Sequence, residues 1–150
     1  MGALETSKPF RNLNPVEQQA LRKIAVEKSF SASQQIFKEG EPGNRFYLIV
    51  SGDVRISRDI PGSGEEALAV LQPGACFGEM AVFDRSERST DAVANGPVTL
   101  MTITRPDFEI LLDFNRDMAY KILRSMVRLL SSRLRVTNDN LRSVLAISMF

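Results

Sequence analysis

Read from its sequence, the chain is mainly β: an antiparallel β-roll or jelly roll flanked by one N-terminal helix and two C-terminal helices, the last of them long. Three observations carry this reading. Its 150 residues, 43% hydrophobic and 25% charged, suit one compact domain with a single core. Between about Gln34 and Ile103, short β-rich runs are interrupted by Gly40, Pro42-Gly43, Gly52, Pro61-Gly62-Ser63-Gly64, Pro73-Gly74 and Gly96-Pro97, a turn signal about every ten residues. From Thr104 onward there is no glycine, and Pro106 is the one proline.

In chain order, residues 1–13 read as an N-terminal tail. Asn14-Pro15-Val16-Glu17 reads as a helix start, with Asn14 as cap, Pro15 at the first position and Glu17 reaching back as in a capping box. This predicts a helix over 14–28. The β-roll then spans 34–103 through QQIF, RFYLIVSG, DVRISRDI, EALAVLQ, TDAVA and VTLMTI. C-terminal helices fill 105–148: a short one from about Pro106 to Asp113, and a long one from about Asn115 to at least Arg142, on the order of 40 Å at ~1.5 Å per residue. That is more than one small barrel can cover. Ala119, Ile122, Met126, Leu129 and Val136 form one apolar series along this helix. Leu123, Val127, Leu130, Leu134, Leu141 and Val144 form a second, in which Thr137 is the polar member. One series can pack on the barrel and the other on a partner, which predicts a homodimer through the long helix.

Composition removes whole classes of chemistry. There is no histidine, and Cys76 is the one cysteine. His-ligated metals, Ser-His-Asp or Cys-His catalysis and an internal disulfide are therefore excluded, so no catalytic or metal-binding residue is expected. Cys76 reads as a small core residue. A lone thiol suits a reducing compartment, MGALETSKPFRNLN has no basic leader before a long apolar stretch, and runs such as Phe46–Val50 are far too short to cross a bilayer. A cytoplasmic protein without membrane attachment is expected. The net charge is +1, but from Asp113 to Arg142 seven basic residues face three aspartates. That local excess reads as a solvated helix face, with no nucleic-acid binding by this chain alone.

The segment that carries chemistry is Pro73-Gly74-Ala75-Cys76-Phe77-Gly78-Glu79-Met80-Ala81-Val82-Phe83, followed by Asp84-Arg85-Ser86-Glu87-Arg88-Ser89-Thr90. Gly78 permits close backbone approach and can open a helical turn whose free N–H groups face an anion. Arg88 can hold that anion with its planar fork. Glu79 would repel a phosphate unless aimed at a neutral donor, and the donor joined to a sugar phosphate is a ribose hydroxyl. With one arginine, and neither a Walker lysine nor an acidic Mg²⁺ cage, the arrangement suits a monoanionic cyclic phosphodiester better than ATP.

FGEMAVFDRSERSTDAVA resembles the phosphate-binding cassette of cyclic-nucleotide-binding domains. FKEGEPGNRFYLIVSGDVRIS resembles the family's opening strands, and RLRVTNDNLRSV the long helix of the bacterial catabolite activator protein group. The resemblance spans roughly Val16 to Val144. It departs at Ala75, where relatives often carry an acidic residue. It implies a non-catalytic sensor of a 3′,5′-cyclic purine nucleotide, cyclic AMP favoured over cyclic GMP, with the ligand repositioning the C-terminal helix. By position, Glu79 would accept from the ribose 2′-hydroxyl, Arg88 would pair with the cyclic phosphate and Ser89 would donate to it. Gly78, Met80 and Ala81 would offer backbone. Thr137 would face the base, Arg133 would approach it, and Asn138 would reach the partner subunit's ligand.

Competing readings remain at this level. A sensor fragment of a transcription regulator would continue past Phe150 into a DNA-binding domain, and the chain is read as either a free-standing sensor or such a fragment. A degenerate member would serve only as a dimerisation module, its pocket empty or filled by apolar side chains. A cupin-like metalloenzyme would need several histidines, which are absent.

Overall fold

The computed structural model describes residues 2–148; Met1, Met149 and Phe150 lie outside the described residues. The elements are α1 (Ala3–Thr6), α2 (Pro15–Ile24), β1 (Val26–Phe30), β2 (Gln35–Phe37), β3 (Arg45–Ser51), β4 (Val54–Ile60), β5 (Gly64–Leu71), β6 (Cys76–Phe77), α3 (Glu79–Asp84), β7 (Asp91–Ala94), β8 (Val98–Thr104), α4 (Arg105–Phe114) and α5 (Arg116–Ser148). Two four-stranded antiparallel sheets, ordered β1-β8-β3-β6 and β2-β7-β4-β5, form the roll.

The unbroken apolar run in β3 has a packing cause. Tyr47 and Ile49 point between the sheets, where they meet Phe37, Val54, Phe77, Ala92, Ala94, Val98 and Leu100. Phe46 and Leu48 point the other way, into a second core made with Leu4, Phe10, Leu13, Leu21, Val82, Phe108, Met118, Ile122 and Met126. A strand covered on both faces has no solvent side on which to place polar residues. β8 behaves alike: Val98 and Leu100 face the inter-sheet core, Ile103 the helices.

Two sequence expectations need correction. The helix predicted over 14–28 ends at Ile24, and Val26–Phe30 is a strand that pairs with β8, so strands begin before residue 34. Pairing along the open edge of β8 overrides local helical propensity there. Residues 2–13 do not trail away as a tail: α1 forms, and Leu4, Phe10 and Leu13 are buried against the helix-side core. These apolar residues, too widely spaced to read as a periodic element, pin the segment individually.

The capping box at α2 is complete. Asn14 Oδ1 accepts from the Glu17 N–H at 2.8 Å, and the Asn14 N–H donates to Glu17 Oε1 at 2.9 Å. The same carboxylate receives Lys121 Nζ of α5 at 2.7 Å, so one side chain both caps α2 and ties it to the long helix. α5 starts on its own cap, with Asn115 Oδ1 accepting from the Met118 N–H. Its buried anchors lie in its first turns. Met118, Ile122 and Met126 are buried, while every residue from 130 to 147 is exposed.

Burial raises the Glu17 carboxyl's affinity for protons, but the Lys121 hydrogen bond, the Asn14 N–H and the Lys121 charge outweigh it and hold the pKa below the ordinary glutamate value. A carboxyl depressed in the folded state adds stability above its unfolded pKa and loses it as pH falls through the folded pKa. Glu17→Gln should therefore lower stability at pH 7 by on the order of 1 kcal/mol. Its deficit should shrink to nothing as pH drops below the ordinary glutamate range, read by urea denaturation at a series of pH values. A deficit that persists undiminished at low pH would assign the loss to packing.

Candidate ligand crevice

Gly78 sits between β6 and α3 with φ +77°, a conformation that side-chain-bearing residues rarely adopt, and it is the N-cap of α3 without any side-chain cap. A Cβ here would lie 2.7 Å from Arg88 Nη1, so glycine is needed for space as well as for backbone. The turn directs Glu79 inward and leaves Met80 exposed. Ala81 is buried against the barrel.

Arg88 is 6% exposed. Its Nη1 donates to the Gly78 carbonyl at 2.8 Å and its Nη2 to the Arg45 carbonyl at 2.7 Å. The guanidinium carbon stands 4.3 Å from the centre of the Phe37 ring, a cation–π contact. Burial pulls its pKa below the ordinary guanidinium value, opposed by Tyr47, Glu41 and Glu79. Two carbonyl bonds leave the fork with donors to spare.

Glu79 is 5% exposed. Its Oε1 accepts from Arg133 Nη1 of α5 at 2.6 Å. Glu79 and Arg88 open on one crevice of about 350 Å³, walled by Phe37, Ile56, Ala69 and Leu71 and rimmed by Ser86, Ser89 and Thr90. That size falls within the range of small-ligand sites, and apolar walls with a few convergent polar groups are their usual composition. Gly78, Met80, Ala81 and Arg133 also line it.

The structure thus brings seven of the expected residues to one crevice: Gly78, Glu79, Met80, Ala81, Arg88, Ser89 and Arg133. Thr137 lies on a neighbouring groove of about 1070 Å³ that shares Leu71, Cys76, Thr90 and Arg133 with the crevice. Its hydroxyl donates to the Arg133 carbonyl at 2.9 Å. Asn138 is exposed and lines neither space. Sequence reasoning missed Phe37, Ile56, Ala69 and Leu71. An apolar ALAVL run on β5, which pairs with β4 along one edge and is exposed almost throughout, was the available signal.

Cys76 is buried, at the floor shared by the crevice and the neighbouring groove. Burial, with the Glu79 charge beside it and Arg133 opposing, pushes its thiol well above the ordinary range, which makes it an inert core side chain. Among the described residues, no group of three or more acidic, cysteine or histidine side chains could hold a metal ion, and no helix is long and apolar enough to cross a membrane.

Comparison with known proteins agrees with this geometry. The family model of the cyclic nucleotide-binding domain matches residues 27–115. The chain is 33% identical over 136 residues to the CRP-like cAMP-activated global transcriptional regulator of Mycobacterium tuberculosis, covering 91% of this chain and 59% of that protein. It superposes on the Thermus thermophilus catabolite activator protein with a TM-score of 0.82 at 32% identity, covering 92% of this chain and 63% of that one. It also superposes on the regulatory domain of Toxoplasma gondii PKA, solved with cAMP, with a TM-score of 0.67 at 27% identity, covering 73% of this chain and 41% of that one. The chain spans less than two thirds of the length of each of these relatives. With the family model covering more than half of its length, the roll and cassette in place and the catabolite activator protein among the structures it resembles, this chain belongs to the cyclic nucleotide-binding domain family.

Proposed function

We propose that this chain binds a 3′,5′-cyclic purine nucleotide, cyclic AMP in preference to cyclic GMP, as a non-catalytic sensor whose ligand repositions α5. The observation that carries the proposal is the pairing of Glu79 with Arg133 across the crevice that also holds Arg88. Arg88 pairs with the cyclic phosphate and Ser89 donates to it. Gly78, Met80 and Ala81 approach it through their backbone, and Glu79 accepts from the ribose 2′-hydroxyl. Arg133 then shares Glu79 with the sugar or releases it, and the nearest polar tie between the barrel and the exposed half of α5 changes. The base extends toward the neighbouring groove. There Thr137 meets it once its hydroxyl turns from the Arg133 carbonyl, and Asn138 reaches across to the ligand of a partner subunit.

The preference for cyclic AMP is supported by the serine directly after Arg88 and by relatives whose names specify cAMP. A homodimer is supported by the exposed series Leu123, Val127, Leu130, Leu134, Leu141 and Val144. One alternative has an observation behind it: Arg88 and Glu79 already have protein partners, so they are satisfied without a ligand, which is compatible with a degenerate dimerisation module. A cytoplasmic location, within a longer regulator or alone, fits either reading.

Calorimetric titration separates them. Wild-type protein should bind cyclic AMP saturably and more tightly than cyclic GMP. Arg88→Ala should weaken binding by about 2 kcal/mol or more, and Glu79→Gln, which leaves the cassette backbone intact, by about 1 kcal/mol or more. No saturable binding by folded wild type, or equal affinity in all three proteins, would remove the site assignment.

Repositioning is read separately. Spin labels placed at Glu66→Cys on β5 and Asn140→Cys on α5 should change their distance distribution when cyclic AMP is added to wild type, and not in Arg88→Ala. The enclosed Cys76 should not react with the label. An unchanged distribution at saturating ligand would refute the coupling. Sedimentation should find a dimer for wild type and a monomer for Leu134→Glu, because a charge in the apolar series is left unpaired on association.

A further inference from the structure

Near the root of α5 lies a separate cavity of about 290 Å³, lined by Asn12, Tyr120, Lys121, Arg124, Ser125 and Arg128. It shares no residue with the ligand crevice. At about 100° per residue, Lys121 and Arg128 fall on the side of the helix roughly opposite Leu123 and Leu130. A partner helix seated on the apolar series would reach the Tyr120 rim, seven residues before Val127, and leave the Lys121 and Arg128 side of the cavity open.

Three cations converge here at steps of three and four along one face, a spacing at which like charges destabilise a helix. Lys121 is neutralised by Glu17 at 2.7 Å. Arg124 and Arg128 have no side-chain hydrogen bond or ion pair among the described residues. Neutral donors complete the lining. Asn12 reaches in from the N-terminal segment, held by its Nδ2 donating to the buried Ser125 Oγ at 3.3 Å, and Tyr120 brings a hydroxyl. No aliphatic side chain that would favour an apolar ligand or grip a peptide faces the cavity. Forked cations and amide donors arriving from two segments match the oxygens of a tetrahedral anion.

We propose that this cavity binds a small phosphate-class oxyanion, held by Arg124 and Arg128 with Asn12 and Tyr120 donating, and that the anion joins the N-terminal segment to the root of α5. The site is independent of the cyclic-nucleotide assignment. Two arginines, unpaired among the described residues and beside the Lys121–Glu17 pair, match the charge of a dianion.

The test titrates inorganic phosphate into the full chain against chloride at matched ionic strength, following the amide resonances of residue 12 and residues 120–128. Saturable one-site binding is expected in wild type and in Arg88→Ala. Arg124→Gln and Arg128→Gln should each weaken it about tenfold or more. Arg135→Gln, a cation of the same flank outside the cavity, should change it less than about twofold. Each substitution lies on the surface, and circular dichroism checks that the fold is retained. The proposal is overturned by a response that chloride reproduces, by phosphate binding lost in Arg88→Ala and kept in Arg124→Gln, or by an Arg135→Gln effect as large as the others.

Discussion

Arg88 carries a guanidinium into a position that water hardly reaches, and removing such a charge from solvent costs several kcal/mol unless neighbours compensate. The neighbours come from separate parts of the chain. Gly78 and Arg45 present carbonyls, and Phe37 presents the face of its ring. Each needs a local condition of its own: the left-handed turn at Gly78, the place of Arg45 at the start of β3, ahead of the residues that pair with β6, and Phe37 at the end of β2. A hydrophobic side chain of similar volume would cost less in such a place, since buried charges are often replaceable by apolar residues without loss of stability. A cation kept buried at the wall of an open crevice is easier to explain by an anion that visits the crevice than by the stability of the roll.

Glu79 and Arg133 extend that constraint to the long helix. Their ion pair is half exposed on the arginine side and buried on the carboxylate side. Screening discounts the arginine's half of it, while the carboxylate, enclosed as it is, depends on having a partner of some kind. On the proposed function, a ribose hydroxyl is a second partner for the same oxygen atoms. Two donors competing for one enclosed acceptor is a simple way to make helix position depend on ligand, and it requires no other moving part in the roll.

The legibility of these features in the sequence varied with the range of the forces behind them. Turns set by glycine and proline, the cap at Asn14 and the proline near the start of α4 are local, and for that reason β2 to β5, β7, β8 and the starts of α2 and α4 are legible in the sequence, while the two-residue β6 is not. Gly78, Glu79 and Arg88 fall within a short segment whose residue types already imply an anion and a hydroxyl. The first residues of β1, 26–28, read as the end of a helix because its pairing with β8 joins residues 68 to 76 positions apart, about half the chain. The Glu79–Arg133 pair links positions 54 apart and could not be read from spacing, so Arg133 was assigned to the base before its carboxylate partner was visible. The apolar crevice wall on β5 looked like an ordinary strand until the structure showed that face uncovered.

What remains is why the long helix should respond to a contact at one point along it. α5 is seated through Met118, Ile122 and Met126, and beyond Leu129 its apolar side chains stand exposed. Arg133 is the residue of that outer part which carries an ion pair to the barrel among the described residues. From Arg133 to Ser148 the helix continues for about 22 Å at ~1.5 Å per residue. A continuous α-helix of this length bends only gently, so a rotation about its buried root arrives at the far end as a larger displacement. The position of the exposed apolar series is thus governed by packing at the root and by one charge contact at the crevice. Of these two, only the charge contact lies where a ligand can reach it.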